Sequence, residues 1–281
     1  MNEYTLPSKA VTTITFFFVI AVFLTSCKGK NAENANDSDL VKKPVPGAPI
    51  KYDSSKRYIY LTFDDGPWPP GTNICKQVFH SQGVKATFFM VGMHQFDVRR
   101  KRLVDSIRNS YPEFLLANHS YTHAFRDHYG IFYKHPDSAV ADILQAQREL
   151  NVPVKIVRLP GNNVWAGKDG ITKGPKSVMQ VAKKLDSLGY NIIGWDVEWN
   201  FINKGGSVPK QSADAMAKTV QDFLDNSMTN EENHIVILAH DRMFQKPQYT
   251  DSLTKFISTL KSDTRNVFET IDHYPALKPN N

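Results

Sequence analysis

A chain of 281 residues has enough material for one large core or two modest ones, and a composition 41% hydrophobic and 22% charged excludes a collagen-like, repetitive or wholly disordered chain. The formal charge of +6 is dispersed. Only Arg99-Arg100-Lys101-Arg102 forms a run, which reads as a solvated helix face, so no nucleic-acid partner is expected and the basic excess favours an anionic polymer or surface only weakly.

In chain order, Lys9 precedes an apolar stretch from Val11 to Leu24, which runs into Leu24-Thr25-Ser26-Cys27. Fourteen residues are short for a spanning helix and right for a signal-peptide core. Small residues leading into a cysteine resemble a bacterial lipobox. The expectation is therefore a signal peptide over 1–26, cleavage before Cys27, lipidation of its thiol, and membrane attachment through that lipid. The other reading is an uncleaved anchor with an incidental cysteine. Residues 27–50 are polar, then proline-containing, and are expected to be a flexible tether; a single domain over 51–281 follows. The address is the bacterial cell envelope, periplasmic or surface-facing. With Cys27 acylated, Cys75 has no partner for an intrachain disulfide, and its apolar neighbours predict a buried, inert thiol. A monomer is expected.

From residue 55 short apolar runs alternate with amphipathic ones. Strands are predicted at Tyr58–Phe63, Ala86–Val91, Phe114–Ala117, Lys155–Leu159, Asn191–Val197, Ile235–Ala239 and Val267–Ile271. Helices are predicted at Asn73–Ser81, Val98–Asn109, Ser138–Leu150, Ser177–Leu188, Ala213–Asn226 and Ser252–Lys261. Such alternation argues for an α/β fold with a parallel sheet, open or closed into a barrel. No internal repeat is visible.

Chemistry in parallel α/β folds collects where strands end. Asp64 and Asp65 follow the first predicted strand, inside Thr62-Phe63-Asp64-Asp65-Gly66-Pro67. Adjacent carboxylates repel unless something cationic lies between them, and the Gly-Pro break lets the backbone turn so that both converge. His119 and His123 follow the third strand, four residues apart; on a helical turn they share a face within reach of one ion. A His-x-x-x-His alone is more often two surface or core histidines. With a strand-end carboxylate it becomes a His-His-Asp set for a divalent metal, one Asp binding the metal and the other free to take a proton from an attacking water.

Thr-Phe-Asp-Asp-Gly-Pro, then His-Ser-x-x-His, then Arg158-x-Pro160-Gly161, then Leu238-x-His240 resembles the polysaccharide deacetylase family, the NodB-homology domain of carbohydrate esterase family 4. The resemblance spans roughly residues 55–275. It implies a distorted (β/α) barrel of about seven parallel strands that removes acetyl groups from glycans with a divalent metal, zinc being the expected one. By position, Asp64 would be the general base, and Asp65, His119 and His123 the metal ligands. Arg158 would orient the base, His240 would be the general acid, Leu238 would line the acetyl-methyl pocket, and a backbone N–H such as that of Gly161 would help hold the oxyanion. An amide needs both activation of its carbonyl and protonation of its nitrogen, and a nearby carboxylate is expected to keep His240 protonated.

Two departures bear on substrate choice. The arginine motif reads Arg158-Leu159-Pro160-Gly161-Asn162-Asn163, without a neighbouring aromatic, and the family's acidic stretch is replaced by Trp195-Asp196-Val197-Glu198-Trp199-Asn200. Asp196 and Glu198 share parity on a strand; Glu198 is favoured as the partner of His240, and Trp199 over Trp195 as a platform for a sugar face. The loop Ala124–Pro136, with His128 and His135, is expected to shape the substrate groove. The expected partner is an acetylated polysaccharide, cleaved as an N-acetyl amide; O-acetyl ester cleavage and a non-catalytic glycan-binding lipoprotein are the alternatives.

Overall fold

The computed structural model describes residues 44–279, so the expected signal segment 1–26, Cys27 and the first part of the tether lie outside the described residues. In chain order the elements are β1 (Arg57–Asp64), α1 (Gly71–Gln82), β2 (Ala86–Met90), α2 (Val98–Arg108), β3 (Phe114–Asn118), α3 (His123–Asp127), α4 (Tyr129–Phe132), α5 (Pro136–Glu149), β4 (Ile156–Val157), β5 (Trp165–Gly167), β6 (Gly170–Lys173), α6 (Met179–Ser187), β7 (Asn191–Ile192), β8 (Val197–Glu198), β9 (Phe201–Asn203), β10 (Ser207–Pro209), α7 (Ala213–Asp225), β11 (His234–His240), α8 (Pro247–Lys261) and β12 (Asn266–Phe268).

The main sheet runs β6-β5-β7-β4-β3-β2-β1-β11-β8, with β12 also on β1. It is parallel except where β5 meets β6 and β7, and it curls into the half-barrel expected of the fold. β1 is its axis. Tyr58 through Asp64 are all buried, which is why this strand reads as a continuous apolar run rather than an alternating one. Its register against β11 runs from Tyr58 opposite His234 to Asp64 opposite His240, so a carboxylate and an imidazole emerge side by side at the C-terminal margin. β12 takes the first residues of β1 and β2 takes the last. Inside, Phe63, Phe79, Phe88 and Phe114 pack edge-on or tilted with centroids 5.0–6.4 Å apart, joining β1 to α1, β2 and β3.

Helices form where the apolar spacing is three or four. In α7 the buried face is Ala213, Met216, Ala217, Val220 and Leu224, and the Ser212 hydroxyl caps it by accepting from the Ala215 N–H. The basic run falls on α2, with Arg99, Lys101 and Arg102 exposed and Arg100 paired to Asp97.

Three expectations change. Asn191–Val197 is not one strand but two: β7 pairs with β4 and β8 with β11, on opposite margins of the sheet. Between them the carbonyls of Ile193 and Gly194 accept from the Arg158 guanidinium at 3.2 and 2.8 Å instead of from a neighbouring strand. A Cβ at Gly194 would meet Asn163 Oδ1 at 2.0 Å, so the bend admits only glycine. The predicted strand Lys155–Leu159 shortens to two residues, because Pro160 has no N–H for a ladder. The folded part also starts before residue 51: the Gly47 N–H donates to Asp272 Oδ2 at 2.7 Å, and Ile50 packs on the core.

At the N-terminal end of the sheet His234 stacks on Tyr58 with centroids 4.9 Å apart and shares a 2.9 Å hydrogen bond with the Tyr60 hydroxyl. Burial pushes its imidazole down to about 4, against about 6.5 for a free histidine. The unfolded chain therefore binds a proton between these values that the folded chain does not. This contribution to stability is complete above about pH 6.5 and is lost as pH falls toward 4. Thermal melts from pH 7 to 4 should show the melting temperature falling across that window, and His234→Phe should flatten that part of the profile.

Candidate active site

The exit of β1 sets the first two groups. Asp64 ends the strand, and Asp65 has φ 73, in the left-handed region that Asp tolerates better than most residues. The turn therefore begins at Asp65, one residue before Gly66-Pro67. It cancels the strand alternation, and both carboxylates, 3% and 5% exposed, line one cavity.

The exit of β3 sets the imidazoles, though not by the right-handed helical turn expected from their spacing. Ser120 has φ 68, and His123 through Asp127 all have φ between 51 and 68, so α3 is a left-handed turn without glycine. Such a conformation costs roughly 1–2 kcal/mol per residue. The loop before it is fastened by Asp142, which accepts from the N–H of Tyr121 at 2.8 Å and the hydroxyl of Thr122 at 2.7 Å. The outcome is convergence: His119 and His123 Nε2 lie 3.5 and 3.1 Å from Asp65 Oδ1.

These three side chains suit a divalent cation. Their ligand atoms lie within 4.8 Å of one another. His119 Nδ1 donates to the Arg158 carbonyl at 2.9 Å and His123 Nδ1 to Asp127 Oδ1 at 2.6 Å, which leaves both Nε2 atoms as lone-pair donors. Asp65 Oδ1 is buried without a hydrogen bond. Three unprotonated donor atoms facing one point are satisfied by a metal and by little else.

Arg158, fully buried, lies behind Asp64. Its Nη1 donates to Asp64 Oδ1 at 2.9 Å and to the Thr62 hydroxyl at 2.7 Å, while Nε and Nη2 take the two carbonyls of the β7–β8 bend. Asp64 Oδ2 is left on the cavity side, 3.6 Å from His119 Nε2. Across the cavity His240 Nε2 lies 3.6 Å from Asp65 Oδ2, and its Nδ1 is buried without a partner. Gly161, with φ 66, Leu238 and Glu198 also line the cavity. A Cβ at Gly161 would come within 2.9 Å of the Tyr129 ring.

Three expectations about this region fail. Glu198 does not partner His240: no hydrogen bond or ion pair joins them, and burial, with the nearby Asp64 charge, raises its carboxyl. Asp196 is structural, accepting from the N–H groups of Val236 and Asn230 at 2.7 Å each, and burial pushes it up to about 6. His240 is not held protonated by its carboxylate neighbours, since burial outweighs Asp65 and Asp64 and lowers it. Trp199 is core, 1% exposed, with its ring against Phe244 and Phe256 and its N–H donating to the Gln211 carbonyl at 2.9 Å. Trp195 lines the cavity in its place, because the bend at Gly194 removes the strand parity on which the choice rested.

The cavity, about 610 Å³, has further walls that no sequence motif marked: Trp68, His94, Arg126, Tyr129 and Arg242. Arg126 and Tyr129 belong to the segment expected to shape the groove, whereas His128 and His135 do not reach it.

Residues 51–164 match the family model described as polysaccharide deacetylase. Over that span the chain is similar to the polysaccharide deacetylase family. That is a family of hydrolases, and the matched span carries Asp64, Asp65, His119, His123, Arg158 and Gly161. A chitin disaccharide deacetylase of Vibrio alginolyticus is 25% identical, over 78% of this chain and 72% of its own length. The fold resembles the catalytic domain of a peptidoglycan N-acetylglucosamine deacetylase from Eubacterium rectale (TM-score 0.57, 20% identity, 82% of this chain and 96% of that one). It also resembles a family 4 acetyl xylan esterase from Clostridium thermocellum, solved with a cobalt ion (TM-score 0.53, 20% identity, 76% and 88%).

Removing Arg158 leaves a buried carboxylate and two buried carbonyls unpaired. Arg158→Met should destabilise the protein by about 3–5 kcal/mol, read from the denaturant midpoint. A loss under about 1 kcal/mol would mean the guanidinium carries little of the fold.

Proposed function

We propose that the protein is a metal-dependent hydrolase that removes N-acetyl groups from an acetylated amino-sugar polysaccharide, and that zinc is its metal. The observation that carries this is the division of labour between the adjacent carboxylates: Asp65 faces two imidazole lone pairs, while Asp64 is held by Arg158 with one oxygen free. The names of the Vibrio and Eubacterium relatives support a deacetylase of acetylated amino sugars, and the cobalt-bound esterase supports a metal at such a site.

Asp65, His119 and His123 would hold the cation. When bound, it would supply the positive charge that polarises an acetyl carbonyl and makes a nearby water more acidic. The chain's own residues do the rest. Asp64 Oδ2 accepts the proton of the attacking water, and Arg158 fixes the angle from which it does so. The N–H of Gly161 has no acceptor among the described residues and stands free to donate to the developing oxyanion. Leu238 and Leu159 give the acetyl methyl an apolar wall. His240 carries a proton to the departing nitrogen. Its depressed affinity suits giving that proton up, so in this reading it takes the proton only during the reaction cycle. An ester alcohol leaves with less help, so an esterase would depend less on His240.

The lipid anchor at Cys27 belongs to this proposal as well: it would hold the enzyme at the cell envelope, on the membrane, with residues 28 to 46 as spacer to the polymer.

Acetate release from N-acetylglucosamine oligomers and from an O-acetylated xylan, with and without added zinc, tests the reading. Release from the amino-sugar oligomers should require the metal and fall by a factor of about 10²–10⁴ in Asp64→Asn. Release from xylan alone would make the protein an esterase. No release and no bound metal would favour a glycan-binding protein.

A further inference from the structure

Two guanidiniums in the cavity wall take no part in metal binding or in the proton transfers. Arg242, two residues beyond His240, places Nη2 3.1 Å from Asp65 Oδ2, lies over the Phe201 ring at 4.6 Å, and keeps an Nε with no hydrogen-bond partner. Arg126 sits in the left-handed turn, exposed, and its guanidinium meets no carboxylate among the described residues. The neighbouring Asp127 is committed elsewhere, to His123 Nδ1 and the Tyr129 hydroxyl.

A neutral acetylated sugar offers hydroxyls, an amide and apolar faces, none of which calls for a cationic fork. A carboxylate does, because two parallel N–H groups match its two oxygens. The charge balance points the same way. Asp64 is neutralised by Arg158 from behind. Among the described residues the carboxylate paired with Arg242 is Asp65, and any cation held with His119 and His123 draws on that same charge. Glu198 and Asp127 are the other carboxylates of the wall. With a divalent cation held by Asp65, His119 and His123, the walls carry a positive surplus, and Arg126 and Arg242 are the part of it that neither the metal site nor the base takes up.

We propose that Arg126 and Arg242 form an anion subsite, so that the glycan turned over bears a carboxylate close to its acetamido group. The inference rests on the deacetylase reading and narrows its substrate. The carboxylate belongs either to an uronic acid in the chain or to a lactyl ether on the amino sugar; the chemistry at the subsite is the same.

The experiment uses four glycans: a peptide-free oligomer with lactyl-bearing N-acetylated sugars, an oligomer alternating N-acetylglucosamine with glucuronic acid, and the carboxyl-reduced twin of each. Calorimetric binding to zinc-loaded Asp64→Asn protein reads the subsite apart from turnover, and acetate release by the unaltered protein reads turnover. One acidic glycan should bind about tenfold tighter than its reduced twin, the scale of one charge-assisted hydrogen bond. That preference should shrink as ionic strength rises, collapse toward one with Arg126→Gln added, and return in part with Arg126→Lys. Whichever acidic glycan shows it identifies the source of the carboxylate. Equal binding of acid and reduced twin in both pairs, or a ratio untouched by Arg126→Gln, overturns the subsite. Absence of acetate release from all four, with the binding preference intact, overturns the deacetylase reading and leaves the subsite standing.

Discussion

A single buried guanidinium ties the site to the fold. Arg158, with no exposed surface, reaches Asp64 and Thr62 on β1 with one nitrogen, and the Ile193 and Gly194 carbonyls between β7 and β8 with the others. A charge taken out of water is costly unless every donor finds an acceptor. Here the acceptors come from two separate parts of the curled sheet, β1 and the β7–β8 bend, so pairing the charge also fixes those parts against one another. Its own carbonyl accepts from His119 Nδ1, which sets the tautomer of that imidazole. One residue thus aims a carboxylate and a histidine at the same cavity.

The rest of the site follows from departures from regular backbone. Strand alternation would separate Asp64 from Asp65, and a right-handed turn would carry His123 along a helix face. The left-handed residues at 65, 120 and 123–127 are what bring these side chains together. The strain is met by neighbours that leave the loop few alternatives: Asp142 under Tyr121 and Thr122, and Asn118 Oδ1 accepting from the Ser120 N–H at 2.9 Å. A preorganised set of this kind need not rearrange when a cation or a substrate arrives.

The sequence made the frame legible because strand and helix periods are local properties. The apolar runs at β1, β2, β3 and β11 and the three-to-four spacing in α7 survive into the structure almost unshifted. The placement of Asp64, Asp65, His119, His123 and His240 about one cavity, with Arg158 behind Asp64, was legible too, since parallel topology delivers strand ends to one margin. What was not legible depended on contacts distant in sequence. The break at Gly194 exists because Arg158 claims its carbonyl, and with that break the parity linking Glu198 to His240, and favouring Trp199 over Trp195, no longer applies. Arg242 and Trp68 carry no periodic signature at all; only the closure of the sheet brings them to the same wall.

The account stands on the unequal roles of the two adjacent aspartates. The most direct measurement is a crystal structure of the zinc-loaded protein with anomalous scattering recorded at the zinc edge. The account expects one peak, bonded at about 2.0–2.2 Å by Asp65, His119 and His123, with Asp64 still on Arg158 and outside bonding distance. A peak bonded by Asp64, or one away from these residues, would contradict it.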